Sequence, residues 1–504
     1  MNSCNLYKTT LAQVLFLIIG LTLLAGCGDA THVTGTAPPA PGPLSANNVN
    51  LIFVVSEDLA YKASGDVNRT TANLTSQGLQ RSLQMATFLK QQVLGSKNVT
   101  QVYTLEPMTH PQAAGNYPDM VAIETIQQFA LLNQITLSDV GQPLYSPYTG
   151  NSYPINASYA ASEPVPSGVA TPAISCPGCQ GLDFNDPGGD NETLATGIIT
   201  ANAPGFYVFS APWETTNALM GNINRLESYN LTIPASYASP NYIYAISITT
   251  SGSASLVTYN SNLNPSSSYP TLPSPAPVST PCAAQTPFII DTSITPGAVI
   301  PEGINTNETL YMIRHAEAHP QGNWDDGNYV CAGQWRALDL PNALSGKLNP
   351  SPQQVYSIDP AQGILGTEND SGNPFWSYVR PSLTVEPYAI ANNLPYGLAA
   401  SFDLFSSPLD VQLQQAVDFF FFDGQFSNQT VLMAWEHAHI PPTITQLVSS
   451  YFPHGGAPPV PDWPGGDYDT IWTVTLDSQG NLTVNNYLCE GIDSTALPAT
   501  CPQF

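Results

Sequence analysis

The sequence predicts an α/β fold made of two sandwich domains, each with a mainly parallel central sheet. Apolar strand-like segments alternate with amphipathic helical segments along most of the chain. The same order of segments occurs twice, in residues 49–263 and in residues 304–504. Residues 264–303 lie between the two copies. They contain "PSSSYPTLPSPAPVSTP", which is too rich in Pro and Ser for a regular element and indicates a linker.

The N-terminal segment indicates export. An apolar run begins at Leu11 and ends in Leu24-Ala25-Gly26-Cys27, and it is short for a bilayer span of about 20 residues. This pattern predicts a signal peptide over 1–26, with an uncleaved membrane anchor as the alternative. The four residues resemble the lipobox of bacterial lipoproteins, which implies a lipidated Cys27.

The segment that follows, residues 27–48, is polar and Pro-rich and predicts a flexible tether. Together with the lipobox it places the expected protein in the cell envelope. It would be lipid-anchored to a bacterial membrane on the periplasmic or cell-surface side.

The charge balance limits the partners. The chain has 11 Lys and Arg against 37 Asp and Glu, a net charge of −26. Such a surface repels nucleic acid, so we expect no nucleic-acid partner. An anion site therefore requires a local cluster of positive groups. An acidic surface would also suit a low-pH environment, where carboxylates lose their charge.

Six cysteines follow Cys27, and an even number outside the cytoplasm favours disulfides. Sequence proximity suggests the pairs Cys176–Cys179, Cys489–Cys501 and, by remainder, Cys282–Cys331. The "CPGC" at 176–179 could instead be a redox pair, and two cysteine pairs could bind zinc.

The first half begins with an apolar strand and an amphipathic helix, "LTSQGLQRSLQMATFLKQQVL", with Leu79, Leu83, Ala86 and Leu89 on one face. A long insertion at 143–195 is loop-like. The predicted elements of this half are a strand at 50–55, the helix at 74–94, a strand at 102–109, a helix at 120–135, a strand leading into a helix at 205–223, and a hairpin at 242–260.

The second half repeats this order, and its hairpin places Gly480 over Gly252. The predicted elements are a strand at 309–320, a helix at 331–344, a segment at 376–394 that parallels 102–109, a strand and helix at 430–448, and a hairpin at 470–487.

Three predicted strand ends of the second half carry unusual side chains: Arg314 with His315, Arg380, and the run from Glu436 to His439. Ligands bind at such ends because side chains converge there without blocking the core. Two arginines can grip phosphate oxygens with planar, permanently charged groups. One histidine can attack phosphorus, and a second can donate to the equatorial oxygens. The pattern predicts a phosphoryl-transfer site.

Three segments resemble signatures of the histidine phosphatase superfamily, the phosphoglycerate mutase-like group. They are "MIRHAEA", the stretch from Ser377 to Arg380 with Thr384, and "VLMAWEHA". The resemblance covers about 305–490, and a weaker version covers about 50–260. It implies two phosphoglycerate mutase-like α/β domains.

By position, the resemblance implies that His315 is the phosphorylated nucleophile. Arg314, Arg380 and His437 would complete the phosphate pocket and bind the substrate. The proton donor in this family is an Asp or Glu of variable location.

Asp403 lies at about the usual distance after the second arginine and is our choice for the proton donor. Glu386 and Glu436 are its rivals. No cofactor or metal is implied.

The sequence also departs from the family pattern. Ala316 replaces the usual glycine. Ala318 stands where the phytase-like branch expects arginine, and Ala438 where it expects aspartate, although Pro320 fits that branch. Phytase activity is therefore disfavoured.

In the first half, the aligned positions have lost the charged groups. Val55 and Ser56 align with Arg314 and His315, Glu106 aligns with Arg380, and Pro212 aligns with His437. These are the residues of a degenerate copy that cannot hold phosphate in this way.

The sequence thus predicts an extracytoplasmic phosphatase that hydrolyses small phosphate monoesters through a phosphohistidine. One alternative is an inactive surface lipoprotein that acts as a binding module. Another is a metallohydrolase in which His319 and His439 join the two site histidines, with Asp325 and Asp326 nearby.

Overall fold

Two mixed β-sheets, one from each half of the chain, organise the structure, a computed structural model in which Pro41–Phe504 forms one compact unit. The residues that the structure describes are 40–59, 65–107, 110, 117–133, 155–156, 181–184, 186, 188–280, 282, 286–318, 327–358, 360, 363–365, 375–399 and 409–504.

The first sheet has six strands in the order β3-β2-β4-β1-β5-β6. Its first four strands pair in parallel, and the closing hairpin is antiparallel. The elements of this half are β1 (Val49–Val55), α1 (Ser76–Phe88, continued by a π-helical turn over Leu89–Val93), β2 (Gln101–Thr104), α2 (Val121–Leu131), β3 (Ile155–Asn156), α3 (Asp190–Ala201), β4 (Gly205–Ala211), α4 (Trp213–Leu226), β5 (Tyr242–Ile248) and β6 (Ala254–Asn260).

The second sheet has seven strands in the order β12-β9-β13-β8-β14-β15-β7, and β10 pairs only with β11 among the described residues. The elements of this half are β7 (Ile289–Asp291), β8 (Glu308–Arg314), α5 (Cys331–Ala343), β9 (Gln354–Ile358), β10 (Gly363–Leu365), β11 (Phe375–Ser377), α6 (Arg380–Asn392), β12 (Tyr396–Ala399), α7 (Leu409–Phe421), β13 (Thr430–Trp435), α8 (Ile440–Ser450), β14 (Thr470–Leu476) and β15 (Leu482–Cys489).

The α/β class is confirmed, but the sheets are mixed rather than mainly parallel. In each half a hairpin joins the central strand in antiparallel orientation, β5–β6 on β1 and β14–β15 on β8. A tight turn reverses the chain, so hairpin strands cannot extend a parallel sheet. In the second sheet, β7 adds a further antiparallel pair at the edge.

Two segments expected to be irregular are partly ordered against the body. Within the predicted linker, Ile289–Asp291 forms β7 beside β15. Within the predicted tether, Leu44 is buried and its N–H donates to the Val93 carbonyl at 2.9 Å. The chain is therefore anchored to the body from about Leu44 onward.

The halves share a core. One apolar cluster includes Met85 and Phe129 from the first half and Leu340 and Tyr388 from the second. Polar contacts cross as well, because the Gln127 Nε2 donates to the Asn328 Oδ1 at 3.0 Å. Burial of side chains from both halves in one cluster resists their separation.

A Gly-x-x-Arg pattern occurs in both α1 and α5. A Cβ on Gly78 would lie 2.2 Å from the Asp66 carbonyl oxygen, and one on Gly333 would lie 2.6 Å from the Glu317 carbonyl oxygen. Only glycine permits these close approaches. Three residues later, Arg81 pairs with Asp66 at 2.6 Å and Arg336 pairs with Glu317 at 2.8 Å. Both halves therefore use the same device to fix the first helix to the loop before it.

Two of the three predicted disulfides, Cys489–Cys501 and Cys282–Cys331, are wrong. The bridges are Cys282–Cys489 and Cys331–Cys501, which join residues 207 and 170 positions apart. Cys176 and Cys179 lie outside the described residues. The entropy model of loop closure assigns about 5 kcal/mol to each bridge of this length. Proximity along the chain was a poor guide to the pairing, because folding brings Cys501 to Cys331 in α5 and Cys489 to Cys282 in the predicted linker.

No helix in the described part of the chain is long and apolar enough to cross a membrane. The predicted signal peptide and Cys27 lie outside that part.

Arg336 is fully buried and pairs with Glu317, Asp469 and Glu490. Arg336→Ala leaves these buried carboxylates without their cation, so we expect the free energy of unfolding to fall by about 3–5 kcal/mol. Urea unfolding measures this. The control Arg225→Ala removes an exposed arginine and should change stability by less than about 0.5 kcal/mol. Equal losses of unfolding free energy in the two variants would contradict the role of Arg336 as the cation that stabilises these carboxylates.

Candidate functional site

The candidate site lies where β8 and β13 end side by side. Arg314, the last residue of β8, is in parallel register with Trp435, the last residue of β13. The His315 N–H then donates to the Trp435 carbonyl oxygen at 2.8 Å. Because both strands run in the same direction, the residues that follow them emerge at one edge of the sheet.

His315 is fully buried, and its tautomer is set by the backbone. Its Nδ1 lies 2.8 Å from the carbonyl oxygen of Ala316, which can only accept, so Nδ1 carries the proton. The Nε2 therefore has a free lone pair, and within the described residues it has no hydrogen-bond partner. Burial and the nearby charges of Arg314 and Arg380 hold the pKa of His315 well below its usual value. The imidazole is neutral.

Arg314 is held by the turn before β14. Its Nη1 donates to the carbonyl oxygens of Gly465 at 2.6 Å and Asp467 at 3.3 Å. Its guanidinium carbon lies 3.8 Å from the ring centroid of Tyr468, a cation–π contact. These are neutral partners, so they fix the guanidinium without cancelling its charge.

Arg380 is the first residue of α6 and is fully buried. Its carbonyl oxygen accepts from the Thr384 hydroxyl at 2.7 Å, and that hydroxyl oxygen accepts from the Ala316 N–H at 2.8 Å. Thr384 thus connects the start of α6 to the residue after His315. The positive end of the α6 dipole adds to the arginine's charge.

Two tyrosines lie beside His315, and each also contacts one of the arginines. The Tyr378 ring lies 6.1 Å from the His315 ring and 5.1 Å from the Arg380 guanidinium carbon. The Tyr468 ring lies 6.2 Å from His315 and also contacts Arg314. Sequence reasoning missed both. Tyr378 stands two residues before Arg380, which was a usable signal, but Tyr468 is distant along the chain.

Glu436 orients the histidines that follow β13. Its carboxylate lies against the Nδ1 of His437 and 3.4 Å from the Nδ1 of His439. Burial acts to raise the pKa of Glu436, but the hydrogen bonds from these two rings and the nearby histidine charges outweigh it. They hold that pKa well below the usual range. An ionised Glu436 carries no proton to donate, so it is an orienting group rather than the proton donor.

Glu386, the other rival donor, faces the first half. It lines a small cavity with Glu124, and burial together with the charge of Glu124 raises its pKa well above the usual value. Glu124 is likewise raised by burial, to about 8. Two buried carboxyl groups this close favour their protonated forms.

Four residues of the sequence hypotheses lie outside the described residues: Asp403, His319, Asp325 and Asp326. The described part of the site therefore consists of Arg314, His315, Arg380 and the Glu436–His439 run, with the two tyrosines.

In the first half, the Ser56 N–H donates to the Ala211 carbonyl oxygen at 3.0 Å, as His315 does to Trp435. Ser56 and Val55 thus occupy the positions of His315 and Arg314. A serine hydroxyl and an isopropyl group bring no charge to this strand end.

Two other alignments were wrong. Glu106 follows β2, whereas Arg380 begins α6, whose counterpart in element order is α2 (Val121–Leu131). Ala211 is opposite Val55 as Trp435 is opposite Arg314, so Trp213 rather than Pro212 matches His437. The sequence alignment matched a strand end to a helix start because both carried a residue before proline.

No protein-family model matches the chain, and no curated protein matches it. Among solved structures the chain is similar to phosphoserine phosphatase in complex with 3-phosphoglyceric acid from Entamoeba histolytica. That match has 15% identity and a TM-score of 0.22, and it covers 42% of this chain and 98% of that one. A structure titled Mycobacterial hydrolase 2 matches with 11% identity and a TM-score of 0.21, over 37% and 91% of the two chains. Likeness at these scores carries no argument about fold or function.

His315 makes stability depend on pH in one direction. Above pH 6.5 the imidazole is neutral in both states, but below it the unfolded chain binds a proton that the buried site excludes. We expect the free energy of unfolding to fall by about 1.4 kcal/mol per pH unit from this group between pH 6.5 and about 5. His315→Gln should flatten that slope in urea unfolding, whereas exposed His454→Gln should not. Identical slopes in wild type and His315→Gln would contradict the buried neutral imidazole.

Glu386 acts in the opposite direction. Its raised pKa means that the folded state keeps a proton that the unfolded chain loses above pH 4.5. Stability from this group is therefore complete below pH 4.5 and falls as pH rises toward the folded-state pKa. Glu386→Gln should gain stability relative to wild type as pH is raised from about 5 to about 8 in urea unfolding. The control is Glu302→Gln, which changes an exposed glutamate. A pH profile of Glu386→Gln that runs parallel to that of wild type would exclude this role of Glu386.

Proposed function

We propose that this protein is an exported phosphohydrolase that cleaves small phosphate monoesters through a phosphohistidine on His315. The observation that carries the proposal is a neutral, fully buried imidazole under the charges of two arginines. Positive charges disfavour a proton on His315 but favour a phosphate dianion beside it. A cluster of this kind attracts an anion and keeps a nucleophile ready for it.

Arg314 and Arg380 bind the phosphate oxygens, and His437 donates to an equatorial oxygen. Glu436 supports this role, because it occupies the Nδ1 side of His437 and leaves the Nε2 for the substrate. A Cβ at Gly465 would lie 3.9 Å from that Nε2, which places His437 beside the turn that holds Arg314. The pocket thus surrounds one phosphoryl group with three cationic or donating side chains.

In the first step the Nε2 lone pair of His315 attacks phosphorus and the ester P–O bond breaks. The leaving oxygen takes a proton from an acid, for which Asp403 remains the proposed donor. In the second step water attacks the phosphohistidine, the P–N bond breaks, and inorganic phosphate and neutral His315 are released. The backbone acceptor on Nδ1 stabilises the positive charge that builds on the ring. No metal or cofactor takes part in this scheme.

The first half is proposed to be a degenerate copy of the second. The shared order of elements, the Gly-x-x-Arg pattern and the equivalent hydrogen bonds of Ser56 and His315 support this. The domains would span 49–263 and 304–504. Without a histidine or arginine at the strand end, the first copy has no means of phosphoryl transfer.

Export and lipid anchoring at Cys27 are part of the proposal. Two disulfides support an extracytoplasmic site, because thiols are kept reduced in the cytoplasm. A histidine that stays neutral below its usual pKa also supports hydrolysis in acidic surroundings.

The test is hydrolysis of p-nitrophenyl phosphate from acid to neutral pH, with and without EDTA. We expect chelator-resistant activity that His315→Ala reduces by at least about 10³-fold, because the covalent step is lost. Ser56→Ala is the matched control at the equivalent position and should be unaffected. Activity that survives His315→Ala would sink the proposal, because His315 is its nucleophile. Activity that EDTA abolishes while the circular dichroism of the chain stays unchanged would move the choice to the metallohydrolase.

The intermediate is a separate prediction. Rapid acid-free quenching of wild type with ³²P-labelled substrate should trap label that is stable to alkali and lost in acid, as a phosphoramidate P–N bond is.

Arg380→Lys keeps a charge but loses the bidentate geometry, so it should lower kcat/KM by at least about 10-fold. A variant indistinguishable from wild type would remove Arg380 from the pocket.

A further inference from the structure

A second constellation lies at the carboxyl edge of the first sheet, where the first half has no phosphate-binding groups. Asp58 follows the end of β1, His110 lies beyond β2, and Asp119 stands two residues before the first residue of α2. One ligand atom from each of the three lies within 4.8 Å of the other two. Nothing in the proposed phosphatase scheme uses them.

The three side chains are held in place. The Asp119 Oδ1 accepts from the Val121 N–H at 2.9 Å, which fixes it at the start of α2. The His110 ring stacks on Phe184 with 3.7 Å between centroids and 11° between planes. Its Nε2 lies 2.5 Å from the Asp58 Oδ2. Both aspartates are buried. Each of the three side chains thus has a defined contact among the described residues.

The two halves differ in which side chain pairs with the carboxylate that follows the strand. In the second half, Glu317 is two residues after His315 and pairs with the buried Arg336. In the first half, Asp58 is two residues after Ser56, but the equivalent arginine, Arg81, pairs with Asp66 instead. Asp58 thus faces an imidazole rather than a guanidinium. Among the described residues, the Arg81 guanidinium pairs with Asp66 and the His110 imidazole pairs with Asp58.

A further carboxylate adds to the negative potential. Glu214 in the first turn of α4 interacts electrostatically with His110. One of its oxygens, Oε2, is buried without a hydrogen-bond partner among the described residues. Three carboxylates around one imidazole, in a chain of net charge −26, favour a cation at this point.

We propose that Asp58, His110 and Asp119 form a binding site for a divalent transition-metal cation, with Zn²⁺ as the best match. Imidazole with carboxylate oxygens is a donor set that zinc accepts, at about 2.0–2.2 Å from each atom. The ligand atoms lie within 4.8 Å of one another, and the His110 Nε2 and Asp58 Oδ2 are 2.5 Å apart, so small side-chain rotations that separate this pair and draw in the third ligand bring the set to these distances. The bound cation ties the end of β1, the segment after β2 and the start of α2 together.

Three protein ligands leave at least one coordination position open. Water or an anionic group of a ligand fills it. The two halves thus present opposite charges at equivalent edges, an anion-binding cluster in one and a cation-binding cluster in the other. This inference does not depend on the proposed phosphatase activity.

The experiment is zinc binding by the exported chain after treatment with EDTA and its removal, measured by isothermal titration and by elemental analysis. We expect one tightly bound equivalent. His110→Ala should weaken zinc binding by more than about 100-fold. Loss of a group that only supports a metal ligand costs about 10–100-fold, and His110 is proposed to be a ligand itself. His454→Ala, an exposed histidine outside the cluster, is the matched control and should bind as wild type does.

Asp119→Asn tests the site without removing the helix-capping acceptor, so a folded variant is assured if His110→Ala misfolds. It should also bind zinc more weakly. Three results overturn the proposal: no zinc bound by wild type, full binding by both variants, or loss of binding in His437→Ala but not in His110→Ala. The last would place the cation at the second-half histidines. Because the readout is binding rather than hydrolysis, failure here is separate from failure of the phosphatase.

Discussion

The parallel pairing of β8 with β13 is the constraint on which the site depends. The register that sets Arg314 opposite Trp435 also gives His315 its hydrogen bond to the Trp435 carbonyl. A shift of one residue would turn each side chain to the opposite face of the sheet. The imidazole would then leave the pocket, and the Glu436–His439 run would no longer meet it. The rest of the site is added to this pair by α6 and by the turn before β14.

Buried charge is tolerated here because each charged group has a specific support. Backbone carbonyls and an aromatic face hold the Arg314 guanidinium, and the Arg380 guanidinium carbon lies 5.1 Å from the centroid of the Tyr378 ring. Neutral supports leave the positive potential intact. Among the described residues, Glu436 is an acidic group whose charge favours a proton on His315, and hydrogen bonds from the histidines beside Glu436 hold its own pKa low. In a chain of net charge −26, such a pocket is a local reversal of the surface field.

The two halves place different side chains on a similar order of elements. Both fix the first helix with a glycine that touches a backbone carbonyl and an arginine three residues later. In both halves the residue after one strand, β1 or β8, donates the same backbone hydrogen bond to the last residue of its parallel neighbour, β4 or β13. What differs is the partner of the arginine, Asp66 in one half and Glu317 in the other. That change decides whether the acid after the strand faces a cation or a histidine.

The contacts between the halves also make the stability of the chain depend on pH. Glu124 and Glu386, one from each half, share a cavity and are both held toward the protonated state. Their burial favours the assembled chain at acidic pH. His315 acts in the opposite direction below pH 6.5, so the two effects oppose each other in acid.

The sequence by itself determined the α/β class and most of the element positions. Strand and helix periodicities are local, so they survive without knowledge of the fold. It also singled out Arg314, His315, Arg380 and His437 as candidate site residues, because each stands at or near the end or start of an element with a readable pattern. The glycine-arginine pattern in "GLQR" and "GQWR" was present in the sequence as well.

Only the tertiary structure decided which distant residues meet. It replaced the guessed disulfides with Cys282–Cys489 and Cys331–Cys501, and it made the sheets mixed by attaching each hairpin to the central strand. It brought Tyr468 to the histidine, and it gathered Asp58, His110 and Asp119 from three separate segments. These outcomes depend on register and on packing between elements far apart in the chain, and no local pattern encodes a distance of that kind.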